Sequence, residues 1–439
     1  MAALESEHRG MLTAAEAADH LGVKLGTLYA YVSRGWLKSY RRKVGRQALY
    51  RKADVEALRG LVAPERGRRA RSLPDASSWV TVAQPREAGE SPAPGVIVTE
   101  SAISSIQEGR LAYRGYPIEQ LVANASFEEI CLLLWTGERP GAGDVARLRV
   151  EIARATMSKP VAASLAALGV DADPLLRLSA MMPSLAAMEK RGESLSSEAR
   201  AQLIIAMLPL GLARRGRVRI SADGGTAERL MKSVAETSGA QWEIAALNRV
   251  LVACAEHEMN ASTFAARVVA STGADLYASV LAAVCSLSGP IHGGACDRIE
   301  RMFADIEAGT RIDDYLDSVR REHRLVPGFG HTIYPEGDPR AVLLQDAAAA
   351  IARRKGRALY DTALKIEGAV WKVERIRPNL DFYLTVCTRM LGFPRGIPAA
   401  IFAVGRAAGW IAHALEQYAD NRLIRPRMRY RGAPLRSWE

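Results

Sequence analysis

From residue 95 to the C-terminus, apolar residues return at the 3.6-residue period of a helix, segment after segment, and this pattern constrains the chain more than any other feature. It is rich in Ala and Leu over residues 127–135, 162–168, 177–188, 198–213 and 226–236. Leu276–Leu287 is apolar nearly all round, which predicts a helix buried within the body. Gly289-Pro290, Pro327-Gly328, Gly337-Asp338-Pro339 and the stretch 392–394 mark the breaks. Short strands are expected only near the front, around residues 96–99 and 111–113, and there is no internal repeat. The expectation is a mainly α body of helices packed on helices.

The 439 residues are 49% hydrophobic and 24% charged, which excludes disordered, collagen-like and disulfide-scaffold classes and predicts two or three domains. Five cysteines (Cys131, Cys254, Cys285, Cys296, Cys387) include no CxxC pair, and four sit in apolar surroundings. Neither a disulfide framework nor a metal site is expected. The start MAALESEHRG lacks the basic end and apolar core of a signal peptide. The apolar run 203–213 is shorter than the roughly 20 residues a bilayer requires. A cytoplasmic protein is expected.

The net charge of +11 is polarised: the first seventy-five residues hold 15 Lys+Arg against 8 acids, and so carry +7. Residues 1–62 read as a small basic module, 63–94 as a linker rich in Pro, Gly, Ser and charge, and 95–439 as the body. Thr13 with Glu16 forms a capping box that opens a helix at Ala14, and Gly22 ends it. A second helix is expected over 24–33, a basic two-stranded wing over 38–50 turning at Gly45, and a third helix over 53–59. The run LTAAEAADHLGVKLGTLYAYVSRGWL resembles the winged helix-turn-helix of excisionases and mercury-resistance-type regulators. The resemblance implies Lys24, Thr27, Tyr29, Tyr31 and Arg34 near DNA, with Arg41, Arg42, Lys43 and Arg46 on its backbone. The alternative is a helical appendage used for assembly, with a solvated wing.

Three ordered groups of motifs occupy the body. EHEMNAST (256–263) precedes GPIHGGA (289–295); PGFGH (327–331) precedes Asp338-Pro339-Arg340; and NLDFY (379–383) precedes GRAAGWIAH (405–413) and NRLIRP (421–426). Together with the opening GVIVTESAISSIQEGRLAYRGYPIEQL, they resemble the citrate synthase family from about residue 95 onward. The fold implied is that family's large and small helical domains, the small one inserted at about 220–330 and preceded here by the helix-turn-helix.

The chemistry implied is the joining of acetyl-CoA to oxaloacetate to give citrate, a step of the tricarboxylic acid cycle. A thioester methyl is a weak carbon acid, so a carboxylate must abstract its proton while a donor holds the enolate oxygen. The resemblance assigns Asp381 as base, His292 as enol stabiliser, and His331 as proton donor to the keto oxygen, which His257 also polarises. Arg340, Arg406 and Arg425 would clamp the dicarboxylate through guanidinium forks, Arg425 across the interface of a homodimer. Val326, Pro327, Gly328, Phe329 and Gly330 would receive CoA, which is a substrate, with no further cofactor and no metal. His323 and His413 are read as structural or exposed.

The chain departs from the family pattern at Thr332 and Pro335, where basic residues are usual, and at Cys296, where Asn is usual. The closest alternative reaction is 2-methylcitrate formation from propionyl-CoA, since one methylene is worth only ~1–3 kcal/mol in a pocket. A reading of another class is a DNA-binding regulator whose body senses an acyl-CoA or a dicarboxylate.

Overall fold

The structure is a computed structural model and describes residues 11–23, 25, 28, 32, 37, 39–41, 48–56, 100–189, 194–213, 220–221, 224–237, 239–426, 430 and 432–437. The chain divides into two units, Met1–Ala88 with Arg427–Glu439, and Gly89–Pro426.

In the first unit, Thr13 caps the helix Ala14–Leu21: its hydroxyl accepts from the Glu16 amide, while the Glu16 carboxylate accepts from the Thr13 amide. Gly22, at φ 67°, closes the helix in the left-handed conformation that favours glycine. The expected wing is present as Tyr40–Arg41 paired antiparallel with Ala48–Arg51. A third strand, Met11–Thr13, pairs with Ala48–Arg51 on its other side. Leu25, Leu28 and Val32 are helical, as are residues 52–56. Ala17, Ala18, Leu21, Leu28, Leu37, Tyr50 and Val55 form this unit's own small core. Lys24, Thr27, Tyr29, Tyr31, Arg34, Arg42, Lys43, Arg46, the Arg41 side chain and the expected linker all lie outside the described residues.

The second unit opens with a three-stranded antiparallel sheet, Ser104–Gln107, Arg110–Tyr113 and Tyr116–Pro117. Helices dominate the remainder. The periodic segments become Phe127–Thr136, Lys159–Leu168, Pro174–Glu189, Ser197–Leu212, Thr226–Ser233 and Leu276–Leu287. The last of these is buried over a broad face, yet Cys285 is exposed and Ala278, Leu281 and Ala282 are half-buried. The expected strand at 96–99 lies outside the described residues.

At the centre runs Pro398–Asp420, buried from Pro398 to Ala414. It packs on Phe127–Thr136, Gln241–Cys254, Ala261–Ala270 and Leu276–Leu287. Two glycines permit the close approach. A Cβ at Gly405 would stand 2.8 Å from the Cys254 Cβ, and one at Gly409 would overlap the Glu256 carboxylate. This central helix brings the chain end after Gln241–Cys254 against the residues that carry chemistry. No described helix is long and apolar enough to cross a membrane.

Candidate active site

A cleft of about 530 Å³ collects His257, His292, His331, Arg340, Asp381 and Arg406, together with Val326, Pro327, Gly328, Phe329 and Gly330. Residues separated by almost 150 positions in sequence thus share one cavity. Most arrive near the end of a helix, where the chain leaves regular structure and a side chain can be aimed; His331 stands in the loop 322–338, and Arg406 projects from the middle of Pro398–Asp420. His257 follows Gln241–Cys254. His292 sits in the turn between Leu276–Leu287 and Gly294–Glu307, where the Gly293 amide donates to the Leu287 carbonyl at 2.8 Å. Arg340 opens Pro339–Lys355, and Asp381 lies in the first turn of Leu380–Leu391.

The His331 loop is tied to the start of the Asp381 helix. The Asn379 amide donates to the Gly328 carbonyl (2.9 Å), and the Asn379 side chain donates to the Gly330 carbonyl (3.1 Å). The same Asn379 caps the helix by accepting from the Asp381 amide at 3.1 Å. Gly328, at φ 80°, has no room for a side chain, because a Cβ would meet Ile299 and Phe382 at 2.9 Å.

Burial sets the protonation of the cleft. It raises the Asp381 carboxyl to about 6, although Arg340 and Arg406 oppose it. Burial lowers His292 to about 4, assisted by Arg406, and lowers His331 to about 4, assisted by Arg340. His257 is held well below the usual imidazole range by burial, Arg340, Arg406 and His331. Near neutral pH the site therefore holds an ionised carboxylate of raised basicity among three neutral imidazoles.

Hydrogen bonds then fix the tautomers. His331 Nδ1 accepts from the Ile333 amide at 3.1 Å, so its proton is on Nε2, which faces the Arg340 guanidinium at 3.5 Å. His292 Nε2 lies 2.9 Å from the Ser262 hydroxyl, which also receives the Trp410 indole N–H at 3.2 Å. The hydroxyl proton of Ser262 has two acceptors, His292 Nε2 and the Asn260 side-chain oxygen at 2.8 Å. The Asn260 oxygen is served in any case by the Thr263 amide. When Ser262 donates to His292, the imidazole presents Nδ1–H as its free donor. His257 Nε2 stands 2.9 Å from the Tyr334 hydroxyl.

Two guanidiniums face the cavity from different helices. Arg340 is buried, and Asp338 engages its Nε and Nη2 at 2.9 and 2.8 Å. Burial works against that charge, but the Asp338 carboxylate holds it above the ordinary arginine range. Asp338 also accepts from the Leu380 amide at 3.1 Å, which couples the arginine to the Asp381 helix. Arg406 donates its Nε to the Cys254 carbonyl at 2.6 Å and lies 4.5 Å over the Phe402 ring. Behind His257, the buried Glu256 carboxylate accepts from Ser104 at 3.0 Å and from His413 at 3.1 Å. His413 is thus a buried structural partner and His323 is exposed, both as expected from the sequence. Among the described residues no cluster of His, Cys, Asp and Glu could hold a metal ion.

Arg425 is exposed and does not line this cleft. Four supporting residues had no assigned part in the sequence reading: Ser262, Tyr334, Asp338 and Asn379. Asn379 and Asp338 do carry a local signal, since each stands where a helix N-cap is wanted, two residues before the functional side chain. Ser262 and Tyr334 meet their histidines only through the tertiary fold.

Comparison with known proteins agrees with this geometry. Residues 93–427 match the family described as Citrate synthase, C-terminal domain, and residues 11–59 match Helix-turn-helix domain. Citrate synthase 2 of Bacillus subtilis is 33% identical over 77% of this chain and 94% of its own length. 2-Methylcitrate synthase 2 of Corynebacterium glutamicum is 32% identical over 77% and 93%. The crystal structure of citrate synthase from Thermotoga maritima superposes with a TM-score of 0.69 at 30% identity, covering 79% of this chain and 96% of that one. A ternary complex of citrate synthase from Thermoplasma acidophilum with carboxymethyl coenzyme A and oxaloacetate gives a TM-score of 0.69 at 26% identity, over 78% and 96%.

Proposed function

The chain belongs to the citrate synthase family and is an enzyme of that type, a transferase; from this premise we propose that it condenses acetyl-CoA with oxaloacetate and water, releasing citrate and CoA. One observation carries the reading: a buried carboxyl raised to about 6 shares a cleft with three neutral imidazoles and two guanidiniums.

The ionised Asp381 removes a proton from the thioester methyl, and His292 Nδ1–H donates to the oxygen on which the enolate charge gathers. Arg340 and Arg406 hold the oxaloacetate carboxylates, and Arg425 of a second copy completes the clamp in a homodimer. The enol carbon attacks the keto carbon, and His331 gives its Nε2 proton to the oxygen that becomes the tertiary hydroxyl. His257, held by Tyr334, polarises the same oxygen from its other side. Water then adds to the thioester carbonyl and returns a proton to His331, the C–S bond breaks, and CoA leaves as the thiol with the proton that Asp381 had taken. Residues 326–330 receive the CoA. Neutral imidazoles suit these roles, because an imidazolium beside the base would depress its basicity.

Relatives named for citrate and for 2-methylcitrate synthesis are similarly close, so propionyl-CoA is the competing acyl donor. Thiol release dependent on oxaloacetate, measured with each acyl-CoA, tests the proposal; no release from either overturns it. A second activity is supported by the match of residues 11–59 to a helix-turn-helix domain and by the +7 carried over the first 75 residues. We assign 1–62 to a DNA-contacting module joined by 63–94 to the body, whose small domain spans about 220–330. DNA retention that weakens steeply with salt is expected. A protein not retained on DNA at low salt would leave the front module an appendage for assembly.

A further inference from the structure

The Asp381 carboxylate receives one side-chain hydrogen bond among the described residues, and it comes from sulfur. The Cys296 thiol, one turn into Gly294–Glu307, lies 3.9 Å from Asp381 Oδ1 and lines the same cleft. Thr385, one turn beyond Asp381 on its helix, flanks the thiol. The groups facing Asp381 from the packed elements are Arg340 and Asp338 at the start of Pro339–Lys355, Arg406 on the central helix, Arg298 beside Cys296, and Cys254.

We propose that Cys296 is a positioning residue for the base: by offering Asp381 a thiol, the weakest of the common donors, it fixes the carboxylate without stabilising its charge, and so keeps it basic. This rests on Asp381 being the base of the proposed reaction. An amide reaching the carboxylate from position 296 would stabilise its ionised form more. Burial raises the thiol well above its ordinary range, with the charges of Asp381 and Asp297 adding to it and Thr385 opposing. Cys296 therefore stays protonated wherever Asp381 is ionised, and acts only as a donor. The buried carboxyl stands at about 6, which is consistent with a carboxylate that lacks strong donors.

Two readouts test this, one of them independent of turnover. Difference infrared spectroscopy of the full chain, with the D381N variant identifying the band, follows the Asp381 carboxyl through pH. Thiol release from acetyl-CoA and oxaloacetate gives the acid limb of kcat/KM. In C296N, whose longer side chain brings an N–H group to the carboxylate, both midpoints are expected to fall by about 1 pH unit, the worth of an ordinary hydrogen bond to a charged group. In C296S, whose hydroxyl sits on a shorter bond than the thiol, they are expected to stay near the wild-type value. In C296A they are expected to hold or rise slightly. Midpoints that coincide in wild type and C296N overturn the proposal and leave Cys296 a packing residue. An infrared midpoint that moves in a protein without turnover sustains the role of Cys296 and overturns the reading of the reaction instead.

Discussion

Asp381 illustrates how burial trades stability for reactivity at a single residue. Its folded-state carboxyl is raised from 3.8 to about 6, so the ionised form is disfavoured in the native protein relative to the unfolded chain. The cost is absent below pH 3.8, grows between 3.8 and 6, and is complete above 6. It amounts to about 2–3 kcal/mol by linkage. D381N removes the charge while keeping the shape. At pH 8 it is expected to unfold at a higher denaturant concentration than wild type, with the difference vanishing near pH 3.5. Equal midpoints at pH 8 would show that burial does not strain the carboxylate. The same substitution is expected to reduce kcat by roughly 10²–10⁴, the usual worth of a general base. In the wild type the acid limb of kcat/KM should fall near pH 6 and titrate as one group, because His292 and His331 change charge only near 4.

At the scale of elements, the site depends on how closely Pro398–Asp420 approaches the chain that follows Gln241–Cys254. The Gly409 amide donates to the Ala255 carbonyl at 3.1 Å, and Gly405 faces the Leu251 backbone and Cys254. G409A would push a methyl into the Glu256 carboxylate and displace the His257 segment. A loss of about 1–3 kcal/mol is expected from such overpacking, read by denaturant unfolding. Oxaloacetate should bind more weakly as well, read as a raised KM. A G409A protein with wild-type stability and KM would show that the helix shifts freely. The helices themselves were legible from sequence: the periodic segments match the observed ones to within a few residues, because an amphipathic face is a local property. The strand Met11–Thr13 was not, since three residues have too short a pattern to distinguish them from a loop and owe their state to pairing with Ala48–Arg51. The Gly330 amide is already given to the Arg377 carbonyl at 2.9 Å, and Gly328 is required for steric room.

For the whole molecule, the open matter of the clamp is Arg425. It is exposed, while Arg340 and Arg406 are buried in the cleft. Exposure of a proposed dicarboxylate ligand fits donation to another subunit. So do the open Cys285 and half-buried Leu281 on a helix whose sequence is apolar nearly all round. Complementation tests this directly. D381N and R425A should each be nearly inactive alone, yet dissociating and reassociating them as a mixture should restore ~25% of wild-type activity by random pairing. Half of the dimers would then pair the two variants, and in those one site of two has both Asp381 and a partner's Arg425. No recovery in reassociated mixed dimers would place Arg425 in its own subunit's site, or outside any site.

Sequence alone determined the helical class, and its motif order picked out side chains that share one cleft, because periodicity and motif order are written along the chain. Only the tertiary structure decided which of those side chains meet, how deeply they are buried, and therefore which protons they hold. Protonation depends on desolvation and on neighbours remote in sequence: Arg340 and Arg406 act on His257 and oppose burial at Asp381, and Arg406 acts on His292. The identities of the residues allow the reaction; the distances between them set the base apart from the acids.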